Sequence, residues 1–184
     1  MSRLLIVHAG SEGQTERIAG RIGALAGARG HEVRVTDLDG IKAHGLSPDT
    51  GGVVVGASVH VGRHPRALED WVKARRDWLA QRPSAFFSVS LSAAAPGPKG
   101  RTDAQRLLDE FLARTDWQPD RTAIFAGALR YSRYGLLKRV VMKNIARSVG
   151  SYDLDTHRDY EYTDWAEVER FTTDFLSLCE PSEV

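Results

Sequence analysis

A single cysteine, Cys179, stands in the 184 residues. One thiol cannot build an intramolecular disulfide framework, so a packed core must hold the fold, and a reducing compartment fits. No apolar run approaches the roughly 18 residues that a membrane-spanning helix needs. The chain enters a strand-like run within three residues of Met1, without the charged start, apolar centre and cleavage site of a secretory leader. Net charge is almost missing as well, with 25 basic against 24 acidic residues, so the chain as a whole selects no polyanion. The six histidines and one cysteine show no metal-ligand spacing, and a metal site is not expected. Internal repeats and low-complexity segments are absent too. These exclusions leave one soluble, cytoplasmic domain over 1–184, long enough to bury a sizeable core.

What is present is an alternation of short apolar runs with helical patterns. Strands are expected at Leu4–His8, Glu32–Thr36, Val53–Ser58, Ala85–Ser90 and Thr122–Ala128. Helical faces are marked by Ile18, Ile22, Leu25 and Ala26, by Leu68, Trp71, Val72 and Leu79, and by Leu107, Leu108, Phe111 and Leu112. A last helix carries Trp165, Val168, Phe171, Phe175 and Leu176, opened by Asp164 as N-cap with Glu167 at its third position. Five buried strands interleaved with helices predict an α/β fold, a doubly wound parallel sheet covered on both faces. Ligands of such sheets bind beyond the carboxyl ends of the strands, near the switch in strand order.

The loop after the first strand reads HAGSEGQT over residues 8–15. Gly10 and Gly13 permit a tight turn that presents backbone N–H groups, Ser11 and Thr15 add hydroxyls, and a helix begins at once. Such a loop can cradle a phosphate. It lacks the Lys-Ser/Thr ending of a triphosphate loop and the G-x-G-x-x-G dinucleotide pattern. The alternative is an ordinary turn with Ser11 as N-cap and Gln14 completing a capping box.

A second anomaly is charge placement. From Leu129 to Gly150 there are six basic residues, Arg130, Arg133, Lys138, Arg139, Lys143 and Arg147, and no acidic one. At helical spacing Leu137, Val140, Val141, Ile145 and Val149 fall on one side, and Arg139, Lys143 and Arg147 on the other. A basic amphipathic helix can dock on the body, lie on an anionic membrane, or offer arginines to an anionic ligand. Nucleic acid is a poor match, since no reading motif accompanies the patch.

The glycine- and hydroxyl-bearing loop after an N-terminal strand, within this pattern, resembles the flavodoxins, with Ala9 and Gly10 where many of them carry hydroxyls. PSAFFSVSL (83–91), WQPDRTAIFAGALRYSRY (117–134) and YEYTDWAEV (160–168) are more specific. With GQT at 13–15 and VVVGASVHVGRHPRAL at 53–68, they resemble the bacterial quinone-dependent protoporphyrinogen IX dehydrogenases over nearly the whole chain. The resemblance implies a flavodoxin-like fold with a basic helical insert at approximately 129–158, associated with the last strand. It implies FMN as cofactor, protoporphyrinogen IX as substrate, and menaquinone or ubiquinone as acceptor. Ser11, Gly13, Gln14 and Thr15 would hold the FMN phosphate. Ser58, Val59, His60, Val61, Gly62, Ser90, Leu91 and Ser92 would flank the ring. Arg130, Tyr131, Arg133, Tyr134, Arg139, Lys143 and Arg147 would meet substrate or the cytoplasmic face of an anionic inner membrane. No residue stands out as acid or base; His60 and His64 are weak catalytic candidates by titration range and place. A homo-oligomer is neither required nor excluded. Two alternatives stay open: a general flavodoxin-like NAD(P)H:quinone reductase or carrier, and a flavin-free membrane- or anion-binding module, which Ala9, Gly10 and Glu12 favour.

Overall fold

The apolar runs form five parallel strands, β1 (Arg3–Ala9), β2 (Glu32–Asp37), β3 (Thr50–Ser58), β4 (Ser84–Ser90) and β5 (Arg121–Ala126), in the order β2-β1-β3-β4-β5. The structure, a computed structural model, describes residues 1–10, 13–95, 98–129 and 160–180. Register aligns Leu5 with Arg34 and Val53, Val55 with Phe86, and Phe87 with Ala123. Successive side chains point to opposite faces of a strand, so each apolar run feeds two cores. Among the described residues six helices cover them: α1 (Gln14–Ala28), α2 (Leu38–His44), α3 (Arg66–Lys73), α4 (Arg76–Leu79), α5 (Pro98–Thr115) and α6 (Trp165–Cys179). Leu4, Ile6, Val54 and Phe87 pack with Ile18 and Ile22 of α1 and with Phe171 and Phe175 of α6. Leu5, Val7, Val55 and Phe86 pack with Leu68 and Val72 of α3 and with Leu108 and Phe111 of α5. The rings of Phe86 and Phe111 stack with centroids 4.4 Å apart. Burial of side chains of this size contributes about 1.5–3 kcal/mol each.

The fold departs from the sequence pattern in three places. The short α2 was not expected; it opens on Asp37, whose side chain accepts from Gly40 N, and it buries only Ile41. The pattern Leu68 to Leu79 is split between α3 and α4 by a break at Ala74 and Arg75, while Leu79 still reaches the same core. β5 stops at Ala126, short of the expected Ala128. Gly127 N then donates to Ser90 O at 3.0 Å, and the chain turns into β6 (Ala128–Leu129). That strand pairs antiparallel with β7 (Tyr160–Glu161), Ala128 opposite Glu161 and Leu129 opposite Tyr160.

Between these strands the expected basic insert, with Arg130, Tyr131, Arg133, Tyr134, Arg139, Lys143 and Arg147, lies outside the described residues. The opening of α6 is as expected, with the Asp164 carboxylate accepting from Ala166 N at 2.9 Å and Glu167 N at 3.4 Å. Among the described residues no helix is long and apolar enough to cross a membrane.

Candidate functional site

Strand order reverses between β1 and β3: the chain passes from β1 outward to β2, then back across to β3 and on to β4. A crevice at this switch lies between the carboxyl ends of two neighbouring strands, and the residues leaving those ends define the site. β1 delivers Ala9 and Gly10, β3 delivers Ser58, and β4 delivers Ser90.

At Gly10 the backbone comes close to two hydroxyls. A Cβ there would lie 2.7 Å from Thr15 Oγ1 and 2.8 Å from Ser58 Oγ. Thr15 is buried in the first turn of α1, while Ser58 ends β3, so one bare backbone position gathers hydroxyls from two elements. Gly13 is the N-cap of α1, with φ of 83° and no side-chain cap. That left-handed conformation favours glycine, Gly13 brings no side chain of its own to the helix start, and the N-terminal end of a helix favours an anion. The alternative reading of Ser11 as N-cap is therefore corrected. Ser11 and Glu12 themselves lie outside the described residues. The hydroxyl pair, the glycine at the N-cap and the helix N-terminus together fit a phosphate monoester.

Gln14 turns its side chain toward the C-terminal part of the chain. Its side chain is buried and donates from Nε2 to Thr163 Oγ1 at 2.8 Å and to Glu161 Oε1 at 3.2 Å. Neither partner was among the expected site residues, and a separation of about 147 positions gave no local signal. The only pointer was the YEYTDWAEV stretch as a block.

The segment after β3 forms a tight turn. Val59 N donates to Val89 O at 2.8 Å, and His60 and Arg63 exchange backbone bonds at 2.8 and 3.2 Å. His60, half-buried, shares a 3.0 Å hydrogen bond with Ser58, which ties the turn to the hydroxyl pair. Val61 and Gly62 occupy the tip with φ of 49° and 74°. Val61 is fully exposed. A left-handed conformation costs a β-branched residue about 1–2 kcal/mol, part of which glycine's extra freedom in the unfolded chain would offset. Val61→Gly should therefore raise the unfolding free energy by about 0.5–1 kcal/mol in urea titration; a loss of stability would show that the tip is unstrained.

After β4, buried Ser90 accepts from Ala93 N at 3.3 Å, holding the short 3-10 turn Ser92–Ala94. Leu91 and Ser92 are half-buried there, beside the turn from β3. Pro96 and Gly97 lie outside the described residues. Neither loop, SVHVG at 58–62 nor SLSAAA at 90–95, contains Trp, Tyr or Phe, so the protein brings no large aromatic face of its own to these two loops.

His64, the second weak catalytic candidate, is not at the crevice surface. It is buried, its Nε2 lies 2.8 Å from Ser88 Oγ, and its ring meets Phe86 and Phe111 edge-on at 5.6 and 5.1 Å. Nδ1 has no partner among the described residues. Burial, reinforced by the Arg114 cation and only partly opposed by Glu110, pushes the imidazole down to about 4, so it is neutral at physiological pH. This histidine belongs to the core.

Comparison with known proteins agrees with this arrangement. The "Flavodoxin domain" family model matches residues 5–155. A protoporphyrinogen IX dehydrogenase (quinone) of Escherichia coli strain K12 is 33% identical over 176 residues, covering 96% of each chain. One from Leishmania major is 33% identical over 177 residues, covering 96% of this chain and 75% of the relative. Oxidised flavodoxin 1 from Bacillus cereus superposes with a TM-score of 0.52 at 16% identity, over 96% of this chain and 97% of that one, which is a likeness of fold. The chain belongs to the flavodoxin-domain family, within the group of quinone-dependent protoporphyrinogen IX dehydrogenases.

Proposed function

We propose that this chain oxidises protoporphyrinogen IX to protoporphyrin IX, with FMN as its redox group and a quinone, menaquinone or ubiquinone, as electron acceptor. The observation that carries the reading is the convergence of Thr15 and Ser58 on Gly10, beside a helix that starts on Gly13. It lies in a chain that matches protoporphyrinogen IX dehydrogenases over 96% of its length. When bound, FMN supplies two-electron chemistry, taking electrons from the substrate and passing them to the quinone.

The chain's own residues bind and orient. Gly10, Gly13, Thr15 and Ser58, with Ser11, hold the phosphate, and the first-turn N–H groups of α1 face its charge. The turn from Ser58 to Gly62 and the segment from Ser90 to Ser92 flank the ring. His60, hydrogen-bonded to Ser58, is the candidate for moving a proton. Apart from His60, the loops at 58–62 and 90–95 carry only hydroxyl and aliphatic side chains, which leaves room for a flat macrocycle. Arg130, Arg133, Arg139, Lys143 and Arg147 give the insert a cationic character suited to the substrate's propionates and to an anionic membrane surface. Tyr131 and Tyr134 add aromatic support for the ring. Peripheral attachment to the cytoplasmic face of the inner membrane would bring the protein to a lipid-dissolved quinone.

The test is anaerobic oxidation of protoporphyrinogen IX by FMN-loaded protein, with and without added quinone, followed by porphyrin fluorescence. Quinone-dependent growth above an FMN-only control is the expected result. A yellow protein that gives no such growth, yet is reduced rapidly by NAD(P)H, would replace this reading with a general quinone reductase.

A further inference from the structure

The end of β5 and the stretch from Glu161 to Thr163 meet at the first turn of α1, through Gln14 and Arg17. Gln14 opens the helix and is 4% exposed. Its amide donates to Thr163 Oγ1 and Glu161 Oε1, and Thr163 Oγ1 donates onward to Ala126 O at 2.7 Å, at the end of β5. One turn further, Arg17 Nη1 lies 2.6 Å from Glu161 Oε2, and its guanidinium sits 5.6 Å from the centre of the Trp165 ring. Both carboxylate oxygens of Glu161 are thus engaged by α1. Burial alone would raise this carboxyl, but hydrogen bonds from Arg17 and Gln14 outweigh it and hold the group below its ordinary range.

We propose that Glu161 is a positioning residue for the FMN phosphate loop. It acts through Gln14 and Arg17, fixing the first turn of α1, which carries Thr15 of the cradle. The inference rests on the loop binding FMN and goes beyond that reading by assigning a role to a residue on β7, across the insert.

Two effects compete when Glu161 is removed. The clamp on the first turn is lost, which weakens phosphate binding. Arg17 is also released, and a free guanidinium would attract the phosphate. The Arg17 and Glu161 side chains are 49% and 33% exposed, so solvent screens most of that attraction. Gln14 is buried, and its amide loses an acceptor that water cannot readily replace. The positional effect is therefore the larger, and FMN should bind more weakly.

The experiment is flavin fluorescence titration of the full chain with FMN and, separately, with riboflavin, which lacks the phosphate. It compares the natural protein with Glu161→Ala, Glu161→Gln, Arg17→Met and Glu161→Ala combined with Arg17→Met. Glu161→Ala should weaken FMN binding about fivefold to tenfold, as expected for one lost charge-assisted contact. Riboflavin binding should be unchanged. Glu161→Gln, which keeps an acceptor for Gln14, should recover part of the loss, and the double variant should bind FMN no worse than Glu161→Ala alone. Equal losses for both flavins would make Glu161 a general stabilising residue and overturn the role. So would unchanged FMN affinity, or tighter FMN binding that Arg17→Met reverses. Failure of the natural protein itself to bind FMN would instead overturn the proposed function, and this role with it.

Discussion

Replacing Gly10 by valine should lower FMN affinity by about tenfold to a hundredfold while leaving the sheet intact. The argument begins from the backbone. Gly10 does not adopt the left-handed conformation found at Gly13, Gly30, Gly45 and Gly62, so an L-residue there meets no dihedral penalty. What it meets is two hydroxyls, Thr15 Oγ1 at 2.7 Å and Ser58 Oγ at 2.8 Å from the new Cβ. Both distances are shorter than a carbon tolerates, and valine's two further methyls would extend into the space the phosphate needs. One hydrogen bond to a charged oxygen would be lost, contributing about 1.5–3 kcal/mol. Gly10 itself is exposed at the strand end, so little of this penalty should fall on the core. Flavin fluorescence titration measures the affinity, and the thermal midpoint of the flavin-free protein reports on the fold. FMN affinity within twofold of the natural protein would remove the Gly10 cradle from the site.

Acid should destabilise the protein through His64, over a window set by a single group. In the unfolded chain this imidazole titrates near 6.5, whereas in the folded protein it is pushed down to about 4. Above pH 6.5 neither state binds the proton, and His64 makes no pH-dependent contribution. Between 6.5 and 4 the unfolded chain takes up a proton that the folded protein refuses, so stability falls as pH falls. Below 4 both states are protonated and the loss levels off. By pH 4.5 the loss attributable to this group is about 2.5 kcal/mol.

Carboxylates titrate in the same region, so a variant must isolate the histidine. His64→Gln keeps a partner for Ser88 and removes the titration. Ionised groups near the ring come from both packed helices: Arg114 and Glu110 on α5, and Glu69 on α3, which is paired with Arg114 at 3.1 Å. Urea unfolding at pH 7 and pH 4.5 should show the natural protein losing about 2–3 kcal/mol more than His64→Gln. Equal losses in the two proteins would mean that the ring is reached by water or protonated in place.

Much of this was legible before the structure. Parallel strands buried on both faces read as continuous apolar runs, which is why Leu4 to Val7, Val53 to Ala57 and Ala85 to Val89 announced themselves. The phosphate loop was legible for a local reason: strand, glycine, hydroxyl and helix start lie within eight consecutive residues. What escaped was either weak or distant. The helix α2 buries a single residue, too little for a periodic signal. The break at Ala74 and Arg75 was hidden because Leu79 continues the apolar spacing on the far side of it. His64 looked like a loop histidine because its neighbours are polar, yet Phe86 and Phe111, which enclose it, come from other elements. The side-chain bonds of Gln14 to Glu161 and Thr163 were out of sight because both are contributed by the far end of the chain.

Leu129 and Tyr160 stand directly opposite each other. An excursion of roughly thirty residues therefore leaves and rejoins the body at one spot, and holding its ends together costs about 3 kcal/mol of chain entropy by loop-length scaling. The β6–β7 rungs and the Glu161 contacts to α1 offset that cost locally, without drawing on the five-stranded sheet. An appendage anchored this way is separable in evolution. It can lengthen, shorten or change its charge while the register of β1 to β5 stays the same.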